Sequence, residues 1–184
     1  NAKMIVAEAT YEVADPTVDS QILTLKASGA DVFINIATPK FAAQAVRKVF
    51  DSGWQPLHLL NNVGASVGSV LTPAGLDKSV GLVTVQYYKD ANDPQWKDDP
   101  AMLEWRAFMG RYYRDGNVND ASNVYGYLAA QTMVQVLKQC GDDLTRENLM
   151  RQAANLKGAK FSMLLPGITM STGPSDFSPV EQAQ

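Results

Sequence analysis

One cysteine and one histidine in 184 residues remove several kinds of chemistry at the outset. Cys140 alone cannot close an internal disulfide, so cysteine usage leaves the compartment open. It ends an apolar helical stretch, where a buried, inert thiol is expected. His58 lies in Leu57-His58-Leu59-Leu60, a strand-like run, where a hydrogen-bonded structural imidazole is expected. So far apart in sequence, the two do not make a zinc site or a Cys/His nucleophile pair. There is no Gly-rich phosphate loop and no nucleophile elbow, so no catalytic residue, metal or cofactor is assigned. There is no excess of positive charge either. A net charge of −3 and a pI near 5.1 argue against nucleic acid or an anionic membrane as the main partner. No run approaches the roughly 18 apolar residues of a membrane span. No internal repeat or low-complexity tract stands out. What remains is ordinary for a folded protein: 46% hydrophobic and 19% charged residues, in a length that suits one large domain or two small lobes.

The most informative stretch is Asp31 to Phe41. Val32, Phe33, Ile34 and Ile36 form the near-continuous apolar run expected of a strand covered on both faces. Thr38 is expected to cap the next helix, and Pro39 suits its first position, where a missing N–H costs nothing. The spacing predicts a helix from Pro39 to Ser52 that buries Phe41, Ala42, Ala45, Val46, Val49 and Phe50, with Gly53 stopping it. A strand feeding a helix this tightly points backbone N–H groups beyond the strand's carboxyl end.

Around this unit the chain alternates. Met4 to Ala7 reads as a first strand, and Val18, Ile22 and Leu25 recur at helical spacing up to Ser28-Gly29. Leu57 to Leu60 reads as a third strand, followed by the small-residue loop from Asn61 to Ser66 and a short helix from Val67 to Leu71. Gly81 to Gln86 reads as a fourth, ending in Tyr87-Tyr88. Alternation of this kind predicts an α/β fold with a parallel sheet. Lys89 to Pro100 is polar and proline-containing and reads as a hinge or linker. Three amphipathic helices follow: one marked by Met102, Trp105, Phe108, Met109 and Tyr112, one from Asn123 to Lys138, and one from Thr145 to Leu156. Ile168 to Met170 reads as a short strand in a glycine- and proline-rich tail. The helices have no sheet of their own to cover, so their apolar faces need a partner.

Several strings resemble a known family: Asp15-Pro16-Thr17-Val18-Asp19-Ser20-Gln21-Ile22, Leu25-Lys26-Ala27-Ser28-Gly29-Ala30-Asp31-Val32, Asn123-Val124-Tyr125-Gly126-Tyr127 and Leu164-Leu165-Pro166-Gly167-Ile168. Together and in this order, across nearly all of residues 3–179, they resemble the extracytoplasmic solute-binding proteins of ABC transporters in the branched-chain amino acid class, the type I periplasmic binding proteins. The resemblance implies two α/β lobes with a ligand held between them. It places residues 3–88 in the second lobe without its first β-α unit, 89–100 at a hinge crossing, and 101–184 as helices and tail of the first lobe without that lobe's N-terminal sheet. It thus implies a C-terminal fragment of a longer, periplasmic protein. Asn1-Ala2 reads as an expression scar, so a missing signal peptide says nothing about export.

The residues offer a site at the carboxyl end of the strand before Thr38. There Ala37, Thr38, Lys40 and Phe41 bring helix N–H groups and a cation suited to an anion. The resemblance adds Asn62 and Val63 from the next loop, Tyr87 and Tyr88 after the fourth strand, and Tyr125 at a helix start. Amino-acid-binding relatives hold the ligand's ammonium with an acid in that loop. This chain has no Asp or Glu between Asn61 and Thr72. The expected ligand is therefore a small carboxylate with an apolar or aromatic body and no obligatory amino group. The implied partner is an ABC transporter membrane permease, with a homodimer or swapped dimer covering the apolar helix faces of this chain. A ligand-sensing domain of a regulator or receptor on the same fold is the alternative.

Overall fold

The computed structural model describes residues 4–184; the expectations for residues 1–3 fall outside them. Contacts divide the chain into two compact units that meet in sequence between Val85 and Gln86.

The first unit is a three-stranded parallel sheet in the order β1 (Val32–Asn35), β2 (Leu57–Leu60), β3 (Val83–Thr84). Two helices pack on it, α1 (Asp19–Ala27) and α2 (Pro39–Asp51). Each helix stops where glycine takes the left-handed conformation, Gly29 at φ 76° and Gly53 at φ 67°. The core is built from Val18 and Ile22 of α1, Phe33 of β1, and Phe41, Ala42 and Val49 of α2. Burying a side chain such as Phe41 contributes about 1.5–3 kcal/mol. After β2 the chain makes a turn at Asn62–Gly64 and a wide helical turn at Val67–Leu71 that runs into the short α3 (Thr72–Ala74).

Four expectations fail here. Met4 to Ala7 is no strand: these residues pair with nothing among the described residues, and Met4, Ile5 and Val6 are exposed. The predicted fourth strand shrinks to Val83–Thr84, and without the Met4 to Ala7 strand the described sheet has three strands rather than four. Nor is β1 covered on both faces. Side chains alternate along a strand. Phe33, Asn35, His58 and Leu60 point under the helices and are buried, while Val32, Ile34, Ile36, Leu57 and Val83 are exposed on the opposite side. An unbroken apolar run signals two buried faces, but α1 and α2 cover only one. Phe50 also differs from expectation. It is half exposed at the end of α2, with the Lys78 ammonium 5.4 Å from its ring centre.

The second unit, residues 86–184, is mostly helical: α4 (Pro100–Tyr112), α5 (Ala121–Cys140) and α6 (Arg146–Ala153). Trp105, Met102, Val124, Leu128 and Met163 fill its core. Asp99 caps α4 by accepting the Met102 N–H, and Thr145 caps α6 by accepting the Asn148 N–H. Cys140 is buried and unpaired, as the sequence predicts. Helix α5 is apolar nearly all round but buries only part of that surface. Val124, Leu128 and Val136 are covered, while Tyr125, Met133, Val134 and Leu137 stay exposed. Lys89 to Pro100 belongs to this unit. Lys89 is buried, with its ammonium on the Asp99 carboxylate at 2.7 Å and over the Trp96 ring at 5.0 Å. The tail contributes antiparallel bridges, Ala159 with Met170 and Tyr88 with Leu164, rather than a full strand at Ile168 to Met170.

Candidate functional site

The turn between β1 and α2 is held from two sides. Beneath it, the Ala37 N–H donates to Asn35 Oδ1 at 3.1 Å. Beside it, the Thr38 N–H donates to the Tyr11 phenol oxygen at 2.8 Å. The Thr38 hydroxyl lies 3.2 Å from the same oxygen. Thr38 has the extended backbone of an N-cap, but its side chain caps no helix N–H; Tyr11 takes it instead. Whichever hydroxyl donates to the other, one O–H of this pair is left to point outward.

Pro39 brings no N–H, and Ala42 already donates to the Thr38 carbonyl at 2.8 Å. Among the described residues, the N–H groups of Lys40 and Phe41 remain the open donors of the first turn. The helix dipole and the exposed Lys40 ammonium favour an anion in front of them. Phe41 itself is 1% exposed, with its ring 4.3 Å from the Tyr11 ring, so its N–H rather than its ring is available there. Lys40 Nζ sits 4.8 Å from the Phe41 ring centre.

The loop after β2 reaches the same edge of the sheet. Asn61 N–H donates to the Asn35 carbonyl at 3.0 Å, which sets Asn62 and Val63 beside the end of β1. Gly64 lets this loop close onto α2: a Cβ there would meet the Ala42 Cβ at 2.9 Å. Asn62 is half buried and Val63 exposed. Ala37, Thr38, Lys40, Phe41, Asn62 and Val63 thus gather at one strand end.

The second unit holds a separate tyrosine group. Tyr87 and Tyr88 meet edge to face at 4.9 Å. Burial pushes the Tyr88 phenol up to about 12, with Tyr87 adding to it. Burial and then Tyr125 raise Tyr87 as well, so Tyr125 is within electrostatic reach. Tyr88 is buried and Tyr125 half exposed.

Tyr11 escaped the sequence reading. It stands 27 residues before Thr38, and only the folded turn brings them together. Among the described residues, no His, Cys, Asp and Glu cluster could hold a metal, and no helix is long and apolar enough to cross a membrane.

The family described as Periplasmic binding protein matches residues 1–182, and the chain belongs to it. Solved structures share the fold. A branched-chain amino acid ABC transporter protein from Thermus thermophilus with bound valine aligns at 16% identity and TM-score 0.75, over 97% of this chain and 47% of that one. A substrate-binding periplasmic protein from Ralstonia solanacearum aligns at 22% and 0.74, over 97% and 49%. An R. palustris ABC transporter solute-binding protein in complex with 4-hydroxybenzoate aligns at 12% and 0.67, over 97% and 51%. The chain therefore spans about half the length of these proteins. A comparison with curated proteins finds no match.

Proposed function

We propose that the whole protein is the extracytoplasmic solute-binding component of an ABC transporter. In this reading it works in the periplasm, holds a small carboxylate between two lobes and hands it to the membrane permease. One observation carries the ligand class. The first turn of α2 offers two open N–H groups, an outward hydroxyl and Lys40, with no acid between Asn61 and Thr72 to balance an ammonium. A carboxylate would be compensated there; an amino acid's ammonium would not. Aromatic and apolar acids fit best, since they carry the carboxylate without an ammonium. The 4-hydroxybenzoate named for one protein of the same fold is of this chemical class. In this half-length chain, a homodimer or swapped dimer would cover the exposed apolar faces.

The test is calorimetry on the complete protein with a benzoate and its benzamide. Lys40→Ala is expected to weaken the carboxylate about ten- to a hundredfold and the amide little, since a charge-assisted contact contributes roughly 1.5–3 kcal/mol. Equal losses for both would remove Lys40 from the carboxylate role.

A further inference from the structure

Asn35 and His58 meet on the covered face of the sheet, where they are 2% and 5% exposed. Asn35 Nδ2 and His58 Nε2 lie 3.2 Å apart. The donor pattern is forced from one end. The Ala37 N–H can only donate, so the Asn35 amide must turn its oxygen toward it. That leaves the amide NH2 facing His58. Nε2 must then be bare, and the imidazole must carry its proton on Nδ1. A directional chain runs from the ligand-side turn to the middle of β2: Ala37 N–H to Asn35, Asn35 to His58.

We propose that Asn35, locked in one orientation by His58, is the positioning residue that holds the Ala37–Thr38 turn in its ligand-ready shape. The imidazole thereby conditions binding at Thr38 and Lys40 without touching the ligand. The ligand half of this statement rests on the proposed function; the turn half does not. The alternative orientation is costly in a definite way. If the amide turns over, its NH2 faces the Ala37 N–H and two donors confront each other in a buried site. A neutral Nε2 acceptor prevents that, and burial keeps the imidazole neutral. Phe33 packs on the ring at 4.6 Å. Burial is the cause of the lowered His58 pKa.

The test uses the complete protein and four readouts. NMR of His58, assigned by the loss of its signals in His58→Gln, is expected to report the Nδ1–H tautomer at neutral pH. In Asn35→Asp a carboxylate replaces the amide NH2, and the His58 titration midpoint is expected to rise above 6.5. Asn35→Leu removes the acceptor. It is expected to speed hydrogen exchange at the Ala37 amide at least tenfold and to weaken benzoate binding by about the same factor, at a temperature where the variant is folded. His58→Gln, which can still accept, is expected to preserve both. Ile22→Val, a destabilised core control outside the turn, is expected to change neither. An Nε2–H tautomer, or unchanged Ala37 exchange in Asn35→Leu, would overturn the proposal. Loss of Ala37 protection without loss of benzoate affinity would overturn its ligand half. If wild type binds no benzoate at all, the carboxylate reading fails, while the tautomer and the Ala37 amide still decide whether Asn35 positions the turn.

Discussion

The Tyr11 phenol oxygen accepts the Thr38 backbone N–H at 2.8 Å, tying a segment before α1 to the first turn of α2. The same phenol shares a hydrogen bond with the Thr38 hydroxyl, and its ring lies against Phe41. Tyr11→Phe keeps the ring contact and removes both polar contacts. We expect a stability loss of about 1 kcal/mol, with a larger fractional loss of carboxylate affinity because the outward hydroxyl is no longer oriented. Thr38→Val should add little on top of Tyr11→Phe, since both disable one pair. Full additivity of the two variants in a calorimetric cycle would show that the pair does not act as a unit.

His58 makes stability depend on pH with a definite sign. Burial lowers its pKa from 6.5 to about 4 in the folded state. The unfolded chain therefore binds a proton at a higher pH than the folded one. Stability from this group is complete above 6.5 and is lost as pH falls toward 4. The loss is on the order of 3 kcal/mol across that window. Urea unfolding at pH 7.5 and pH 4.5 should show it, and His58→Gln should flatten the difference. An equal pH slope in both proteins would assign the effect to other groups.

Asp99 joins a cap to a largely buried ion pair. Burial pushes its carboxyl up, but the Lys89 bond and then the Met102 N–H hold it below its ordinary value. Asp99→Ala should cost about 1–2 kcal/mol for the lost cap and more for leaving the Lys89 ammonium in the core without its partner. Replacing Lys89 by Met at the same time should recover part of the loss, because the apolar stem still packs while the stranded charge is gone. A double variant no more stable than Asp99→Ala would show that Lys89 reaches water when released.

The bare side of the sheet should govern self-association. Ile34 and Ile36 are 65% and 75% exposed there, beside Val32, Leu57 and Val83. Apolar patches of this kind are unusual on an isolated protein surface. Sedimentation velocity should show this chain associating with rising concentration. Ile34→Lys should shift it toward monomer with little change in melting temperature, because that side chain contributes little to the core. Unchanged association in Ile34→Lys would move the contact to the exposed face of α5.

Local signals carried far in this chain. Pro39 and Gly53 bracket α2 because each has a backbone preference of its own. Leu57 to Leu60 is a strand because it is short, apolar and bounded by turn residues. Thr145 caps α6 because its hydroxyl reaches a donor three residues away. Several failures of the reading concern what a segment packs against. Met4 to Ala7 has strand-like residues but pairs with none of the described strands, and Phe50 has the right spacing but stays half exposed beside the Lys78 ammonium.

The candidate site divides the same way. A helix start at a strand end, with a hydroxyl and a lysine, depends on residues adjacent in sequence and was legible there. So was the lack of an acid between Asn61 and Thr72, on which the proposed ligand class rests. Tyr11, Asn35 and His58 were not legible as one arrangement. Each meets the turn or its neighbour through contacts set by strand register and helix packing. The sequence by itself determined the α/β alternation, the helix limits and the donor-rich turn, because these follow from local backbone preference and hydrophobic spacing. Only the tertiary structure decided which sheet face is buried, which hydroxyl holds Thr38 and which way the Asn35 amide points, because hydrogen-bond direction and burial depend on groups far apart in the chain.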